Sequence, residues 1–157
     1  MSGPAWDYDG LFDERVILAE LARDVLLRRQ QTSFFVETWH IGNLAHARIR
    51  NPSVASKYEA EISGRVSEFR PCVYFLDIPI DLMRCRTSHY KQSSFEHAVH
   101  FYEQVHLEIR RVVDLFRLDC VVIDASADVE VTTAELLRTA AEPGCSRSES
   151  SPELLTR

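Results

Sequence analysis

Three basic side chains follow an apolar run near the middle of the chain. The run covers residues 73–78 (VYFLDI), and Arg84, Arg86 and Lys91 come shortly after it. Arginine recognises phosphate through paired hydrogen bonds, and open α/β sheets bind ligands at the carboxyl ends of their strands. If the run is a strand, these three cations lie where an anionic ligand would bind. A solvated basic loop is the structural alternative.

A second apolar run suggests how such a site would be built. Residues 73–78 and 120–123 (CVVI) are both rich in β-branched and aromatic side chains, and each run ends near an aspartate. Such runs are typical of parallel strands that helices cover on both faces. The connection between them is far longer than a parallel crossover requires, so it can carry both a basic loop and a long helix.

Helical periodicity fills most of the remaining chain. A capping-box pattern at Ser93 and Glu96 begins the longest helix, and a similar pattern at Thr132 and Glu135 begins the last one. The predicted helices span about residues 11–29, 52–68, 80–87, 93–116 and 132–141.

A third short strand is predicted over residues 33–36, and it ends at Glu37. With three strands and five helices, the sequence predicts an α/β protein with three layers, α/β/α, around a small parallel sheet. Residues 1–141 form this domain in the prediction. Residues 142–157 are dominated by Ser, Pro and charge, which predicts a disordered tail.

Composition excludes some classes of function. The 157 residues, 45% hydrophobic and 27% charged, are ordinary for one globular domain. The net charge of -6 argues against general nucleic-acid binding. No apolar run is long enough to span a membrane, so no membrane partner is predicted.

The cysteines and the first residues bear on cellular location. None of the four cysteines has CxxC or His-linked metal spacing, and Cys72 and Cys120 are interpreted as reduced, buried side chains of the sheet. The first ten residues lack the basic and apolar regions of a signal peptide. Both observations predict a cytoplasmic protein.

Three segments, taken together, resemble one enzyme family. FRPCVYFLDIPIDLMRCR, SSFEHAVHFYEQVHLEI and VVIDASADVE are similar, in order and spacing, to the strand, long helix and final strand of thymidylate kinase-like P-loop nucleotide kinases. Further upstream, LFDERVILAEL and ETWHIGNLAHA occupy the places of that family's substrate-side segments. The resemblance covers about residues 11–137 and implies a P-loop kinase fold that is truncated at its N-terminus.

The resemblance implies a reaction and residues that take part in it. The family transfers a phosphoryl group from ATP, with Mg²⁺, to a nucleoside monophosphate, dTMP to dTDP in thymidylate kinase. Arg86 would contact ATP or the transferred group, and Arg84 and Lys91 would add positive charge beside it. Glu37 would orient the acceptor or a Mg²⁺-bound water. Its alternative is a strand-end carboxylate bonded to nearby backbone.

The nucleoside monophosphate would be held by two further residues. Arg15 matches a substrate-side arginine of the family, and Trp39 would line the base pocket. The structural alternatives are a solvated surface charge for Arg15 and a core or rim position for Trp39.

Two departures from the family limit what the chain is expected to do. Thr38 replaces an arginine that would hold the acceptor phosphate. No GxxxxGKS or GxxxxGKT loop is present, because neither Lys57 nor Lys91 follows a glycine, so the backbone cradle and the lysine for the ATP phosphates are missing. We therefore expect a nucleotide-binding protein that is inactive on its own.

A second class of function fits the same sequence. The chain can also be interpreted as a non-catalytic protein-interaction module, and a homodimer is one option for such a module. The start of the chain directly before a helix favours a shortened version of a longer protein.

Overall fold

The structure is a computed structural model that describes residues 11–30, 34–86 and 92–141, apart from the side chains of residues 92–94. Six helices and two strands occupy these described residues. In chain order they are α1 (Phe12–Leu27), α2 (Trp39–Arg50), α3 (Pro52–Phe69), β1 (Val73–Asp77), α4 (Ile80–Arg86), α5 (Gln92–Phe116), β2 (Cys120–Asp124) and α6 (Val129–Ala141).

Four helices, α1, α2, α3 and α5, pack into what we call the helical core. Ile17, Leu44, Ile62 and Val112, one from each helix, are completely buried. Burying one such side chain contributes about 1.5–3 kcal/mol. Helix α3 shows how the sequence sets these elements. Its apolar face repeats at helical spacing, and it begins at Pro52, whose fixed φ suits the first helical position.

The two strands form a separate sheet region with α4 and α6. They are parallel and paired residue for residue, from Val73 opposite Cys120 to Asp77 opposite Asp124. On one face of the sheet, the Phe75 ring lies 4.5 Å from the His106 ring of α5. Neither α4 nor α6 contains a fully buried residue.

The predicted three-layer α/β/α fold is wrong. Among the described residues the chain is mostly helical, and its sheet has two strands instead of three. Residues 34–36 form no strand, although they lie close to β1 at the ring contact between Phe35 and Tyr74. Phe34 packs against Phe69 and Val36 against the helical core, and no backbone hydrogen bond joins this segment to β1 in the part of the chain described. A strand needs such bonds, because it satisfies its backbone polar groups through its neighbours.

Several local predictions are confirmed and others are wrong. Helices α1, α3, α4 and α5 and the parallel pair of strands lie where the sequence predicts them. Helix α2 was missed. Helix α6 begins at Val129 rather than Thr132, whose backbone N–H already donates to the Asp128 carbonyl at 3.0 Å. The predicted tail lies outside the described residues.

The cysteines also differ from the prediction. Cys120 is a free thiol but is exposed, and Cys72 is disulfide-bonded. The prediction of reduced, buried thiols is therefore wrong in burial for Cys120 and in redox state for Cys72. The thiols give no support to a cytoplasmic location.

Candidate functional site

The carboxyl ends of the two strands border a cavity of about 400 Å³. Asp77, Pro79, Val122, Asp124 and Ser126 line it, and we call it the strand-end cavity. Because β1 and β2 are parallel and in register, their final aspartates lie side by side. The sequence places an aspartate near the end of each apolar run, and the parallel register brings the two together. Glu37, which was predicted to end a third strand, is not at the end of a strand.

Helix α5 holds the Asp77 carboxylate. The His106 Nε2 lies 2.9 Å from one oxygen and the Arg110 Nη2 lies 3.1 Å from the other. His106 and Arg110 are four residues apart and therefore share one helix face. The Phe75 ring packs against both, because the Arg110 guanidinium lies 5.3 Å from the ring centroid. Asp77 is thereby positioned from one side, and its negative charge is balanced.

Asp124 organises the loop after β2. The Ser126 backbone N–H donates to its carboxylate at 2.8 Å. The Ser126 hydroxyl and backbone N–H both stabilise the carboxylate, which lowers the pKa of Asp124. Asp124 is therefore negatively charged at neutral pH, and its side chain is exposed beside the cavity.

The two arginines predicted to bind phosphate are both engaged with protein groups. Arg86 donates to the carbonyls of Ala127 at 2.8 Å and Ser126 at 3.3 Å, which ties the end of α4 to the loop after β2. Arg84 pairs with the Glu96 carboxylate of α5 at 3.1 Å. Both arginines thus lie on elements that flank the strand-end cavity. Lys91 falls outside the described residues.

Glu37 and Arg15 are not brought to this cavity. Glu37 is exposed just before α2, and no hydrogen bond or ion pair joins it to Arg86 in the described part of the chain. Arg15 is exposed on α1, a helix of the other region. The structure therefore does not gather the predicted catalytic and substrate-side residues into one site.

Trp39 belongs to a buried polar cluster of the helical core. Its indole N–H donates to Asp24 at 3.1 Å, and the His40 Nε2 lies 2.6 Å from the other oxygen of that carboxylate. Asp24 and His40 are completely buried and Trp39 is 8% exposed. The ring of Trp39 meets Phe69 edge-on at 5.7 Å. This arrangement fixes α2 against α1 and leaves little of the indole open to a ligand.

The sequence of α1 contains a signal that predicts a buried polar cluster. Asp24 continues the apolar face of α1 formed by Ile17 and Leu21, and a charged residue in such a stripe requires buried partners. The backbone before α2 is also unusual, because Thr38 has φ 65° and Trp39 has φ 36°. A positive φ is strained for a β-branched or bulky residue, and no local sequence pattern predicts this backbone conformation here.

The described residues contain no group of three or more His, Cys, Asp or Glu side chains that could hold a metal ion. Another cavity, of about 480 Å³, lies between α3 and α5, and its one carboxylate, Glu59, is already paired with Arg48 at 2.7 Å. The strand-end cavity is therefore the better candidate, since it combines hydrogen-bond acceptors with Asp124, a carboxylate that forms no ion pair with the described residues.

Comparison with known proteins does not add a family. No family model matches the chain, and no curated protein or solved structure matches it. No helix in the described ranges is both long enough and apolar enough to cross a membrane.

Proposed function

We propose that this chain binds a nucleotide at the strand-end cavity and does not transfer phosphoryl groups by itself. Three segments resemble thymidylate kinase-like enzymes, and the first and third of them, β1 with α4 and β2 with its loop, contain the residues that line this cavity. The second, which lies within α5, contributes His106, which holds Asp77. The observation that carries the proposal is the parallel register of β1 and β2, which puts Asp77, Asp124 and the Arg86-bound loop at one edge.

The chemistry of the cavity favours the nucleoside part of the ligand. Its charged groups, Asp77 and Asp124, accept hydrogen bonds, so they suit ribose hydroxyls and base amino groups better than phosphate oxygens. A volume of about 400 Å³ lies within the range of small-molecule sites. The phosphates would extend toward the arginines of α4, and any Mg²⁺ would enter coordinated by those phosphates.

The absence of transfer activity follows from positioning. Phosphoryl transfer depends on holding donor and acceptor in line and on stabilising charge on the moving group. The sequence lacks the glycine-rich loop with its lysine, and no hydrogen bond or ion pair between described residues joins Glu37 to Arg86. The full chain is therefore expected to bind without catalysing the family's reaction.

Isothermal titration of the full chain with dTMP and with ATP, each with and without Mg²⁺, tests the proposal. We expect weak, saturable binding of at least one nucleotide. Replacing Asp124→Asn removes a charged acceptor and should weaken that binding about tenfold, since a hydrogen bond to a charged group contributes about 1.5–3 kcal/mol.

Asp114→Asn is the matched control, because Asp114 is exposed on α5 and does not line the cavity. Absence of binding by any nucleotide, or equal weakening by both variants, would overturn the proposed site. Formation of ADP from ATP and dTMP by the purified chain would overturn the proposal that the chain does not transfer phosphoryl groups by itself.

A second candidate function is a non-catalytic interaction module, which is favoured because Glu37 does not line the strand-end cavity. Large apolar side chains of the described residues also remain exposed, among them Phe35 at 67% and Val129 at 72%. Titrations without any nucleotide binding, combined with association in sedimentation, would favour the module over the nucleotide site.

A further inference from the structure

The outer edge of β2 has backbone groups without partners in the described structure. The Val73 N–H donates to the Asp119 carbonyl and the Ala125 N–H donates to the Asp77 carbonyl, both across the pair of strands. Alternate residues of a strand face the same neighbour, so residues 119, 121, 123 and 125 face β1. The backbone groups of residues 120, 122 and 124 therefore point to the open edge, where no described backbone group bonds to them.

The charge on this edge is confined to Asp124 at its end, and its centre lacks the features that keep sheet edges from pairing. Its sequence, CVVID, has no proline or lysine and is β-branched at its centre. Val122 is 56% exposed, and Cys120 and Asp124 are exposed on either side of it. Proteins usually protect an edge strand with charge, proline, a bulge or a cover, because an open edge is a template for another strand.

We propose that a second copy of this chain pairs its β2 with this edge, antiparallel, about a two-fold axis at Val122. The edge is self-complementary in this register, because the outward backbone groups of residues 120, 122 and 124 meet those of 124, 122 and 120. The two Val122 side chains contact each other on one face, and Val121 meets Ile123 of the other copy on the opposite face. Such β-branched cross-strand pairs stabilise sheets.

Backbone geometry selects the antiparallel arrangement. In a parallel pair, a residue that points its backbone groups at the neighbour lies beside one that points them away, as Val73 lies beside Cys120. Two copies of the same edge therefore cannot pair in parallel and in register, which a two-fold dimer of this kind would require. In the antiparallel pair, Asp124 lies opposite Cys120, and the two Asp124 carboxylates are about 14 Å apart at about 3.4 Å per residue.

The inferred interface is small and borders the strand-end cavity. Pairing two five-residue strands joins the two-stranded sheets into four strands, β1–β2–β2–β1, and removes one open edge from each copy. Interfaces below about 1,200 Å² of buried surface are typical of weak association, so we expect a reversible, concentration-dependent dimer. Val122 also lines the cavity, so the second copy covers one wall of it.

Cysteine cross-linking tests the register. In an antiparallel hydrogen-bonded pair the opposed Cα atoms are about 5.5 Å apart, which is within the span of a disulfide. Val122→Cys in a Cys120→Ser background should therefore give a covalent dimer on mild oxidation, as measured on a non-reducing gel. The original chain is the control, because its Cys120 thiols would be about 14 Å apart in the same dimer.

Cys85 is exposed in the variant and in the original chain, so it contributes the same background of cross-linked dimer to both. A Val122→Cys band no stronger than that of the original chain would overturn the register, and a strong band in the original chain would indicate a different pairing.

Sedimentation of the unmodified full chain over a range of concentrations tests the dimer without a covalent bond. We expect association that Val122→Lys weakens at least tenfold. Leu76→Lys is the matched variant, because Leu76 is a similarly exposed residue on β1, away from this edge. A monomer at every concentration, or equal loss of association in both variants, would overturn the proposal.

Discussion

The helical core and the sheet region of this molecule differ in how deeply they bury their apolar side chains. Ile17, Leu44 and Ile62 of the core are completely buried, whereas Leu76 and Val122 of the strands are 46% and 56% exposed. Helix α6 contacts β2 but buries no residue. Each strand buries one residue, Phe75 and Ile123, so the sheet contributes less buried apolar surface than the helices do.

Polar side chains divide in the same way. In the core, carboxylates are used to join helices: Asp13 binds Arg50, and Arg48 links Glu59 of α3 at 2.7 Å to Glu108 of α5 at 2.9 Å. In the sheet region, Asp124 is exposed beside a cavity and holds only its own loop. Packing alone can therefore distinguish the carboxylates that join helices from the carboxylate that is available to a ligand. This agrees with the general location of binding residues on loops of a rigid scaffold.

The largest expected effect comes from Asp24, which joins α1 to α2. Asp24→Ala leaves the buried Trp39 Nε1 and His40 Nε2 without their acceptor, so we expect a loss of about 3–5 kcal/mol in the free energy of unfolding. The same substitution in the sheet region, Asp77→Ala, should cost about 1 kcal/mol, since the side chain of Asp77 is 38% exposed and its partners can turn to water.

Urea unfolding of both variants provides the measurement. Equal losses would contradict the contrast between the two regions, because they would show that the sheet contributes as much to global stability as the core does.

Glu108 tests how the core is held together between α2 and α5. Glu108→Gln removes the charge that pairs with Arg48, and we expect a loss of about 1.5–3 kcal/mol near neutral pH. Glu103→Gln on the same helix is the control. Its one ion pair within the described ranges is with His100, at 3.6 Å on the surface, so the substitution should change stability by less than about 1 kcal/mol.

The effect of Glu108 should depend on pH. Burial would raise its pKa, but hydrogen bonds from Arg48 and Arg111 outweigh burial, so the pKa lies below the ordinary value of 4.5. A lowered pKa in the folded state means that the stabilisation is complete above about pH 4.5 and is lost as the pH falls through the folded value. Urea midpoints of the variant and the original chain should therefore converge below pH 4.5, and a constant difference down to pH 3 would contradict this assignment.

The sequence predicts the elements that depend on local pattern, and it fails where tertiary contacts decide. The apolar runs of β1 and β2 and the periodicity of α5 suffice to predict two parallel strands and a long helix. Residues 34–36 have an equally apolar pattern, but no described backbone group bonds to them, and a local stretch of sequence does not reveal whether a partner strand exists. The sequence shows an aspartate near the end of each run, but only the parallel register of the structure identifies Asp77 and Asp124 as neighbours at one cavity.

Helix α2 was missed because Gly42 and Asn43 suggest a loop. The structure gives Gly42 another role, since a Cβ there would lie 2.5 Å from the Thr38 methyl group. The glycine accommodates the residue before the helix rather than interrupting the helix. That contact involves Thr38, whose positive φ has no local signal in the sequence.

At Thr38 we expect a substitution that stabilises the helical core instead of destabilising it. Thr38→Gly relieves a β-branched residue at φ 65° and should raise the free energy of unfolding by about 1 kcal/mol. It should also make Gly42→Ala tolerable, although that substitution destabilises the original chain through the contact with the Thr38 methyl group. A double-mutant cycle in urea measures this coupling, and additive effects would contradict it.

The smallest expected effect tests the openness of the sheet directly. Leu76 on β1 is 46% exposed, so Leu76→Ala should cost less than about 1 kcal/mol, whereas Leu44→Ala in the core should cost about 2–5 kcal/mol because it leaves a cavity. The two substitutions remove the same atoms, so the difference in urea midpoints measures only the surroundings of each side chain. Leu76 lies away from the inferred β2 interface, so the small cost should persist at concentrations where the chain dimerises. A loss at Leu76 comparable to that at Leu44 would mean that this face of the sheet is packed in solution, and the contrast between the two regions would then fail.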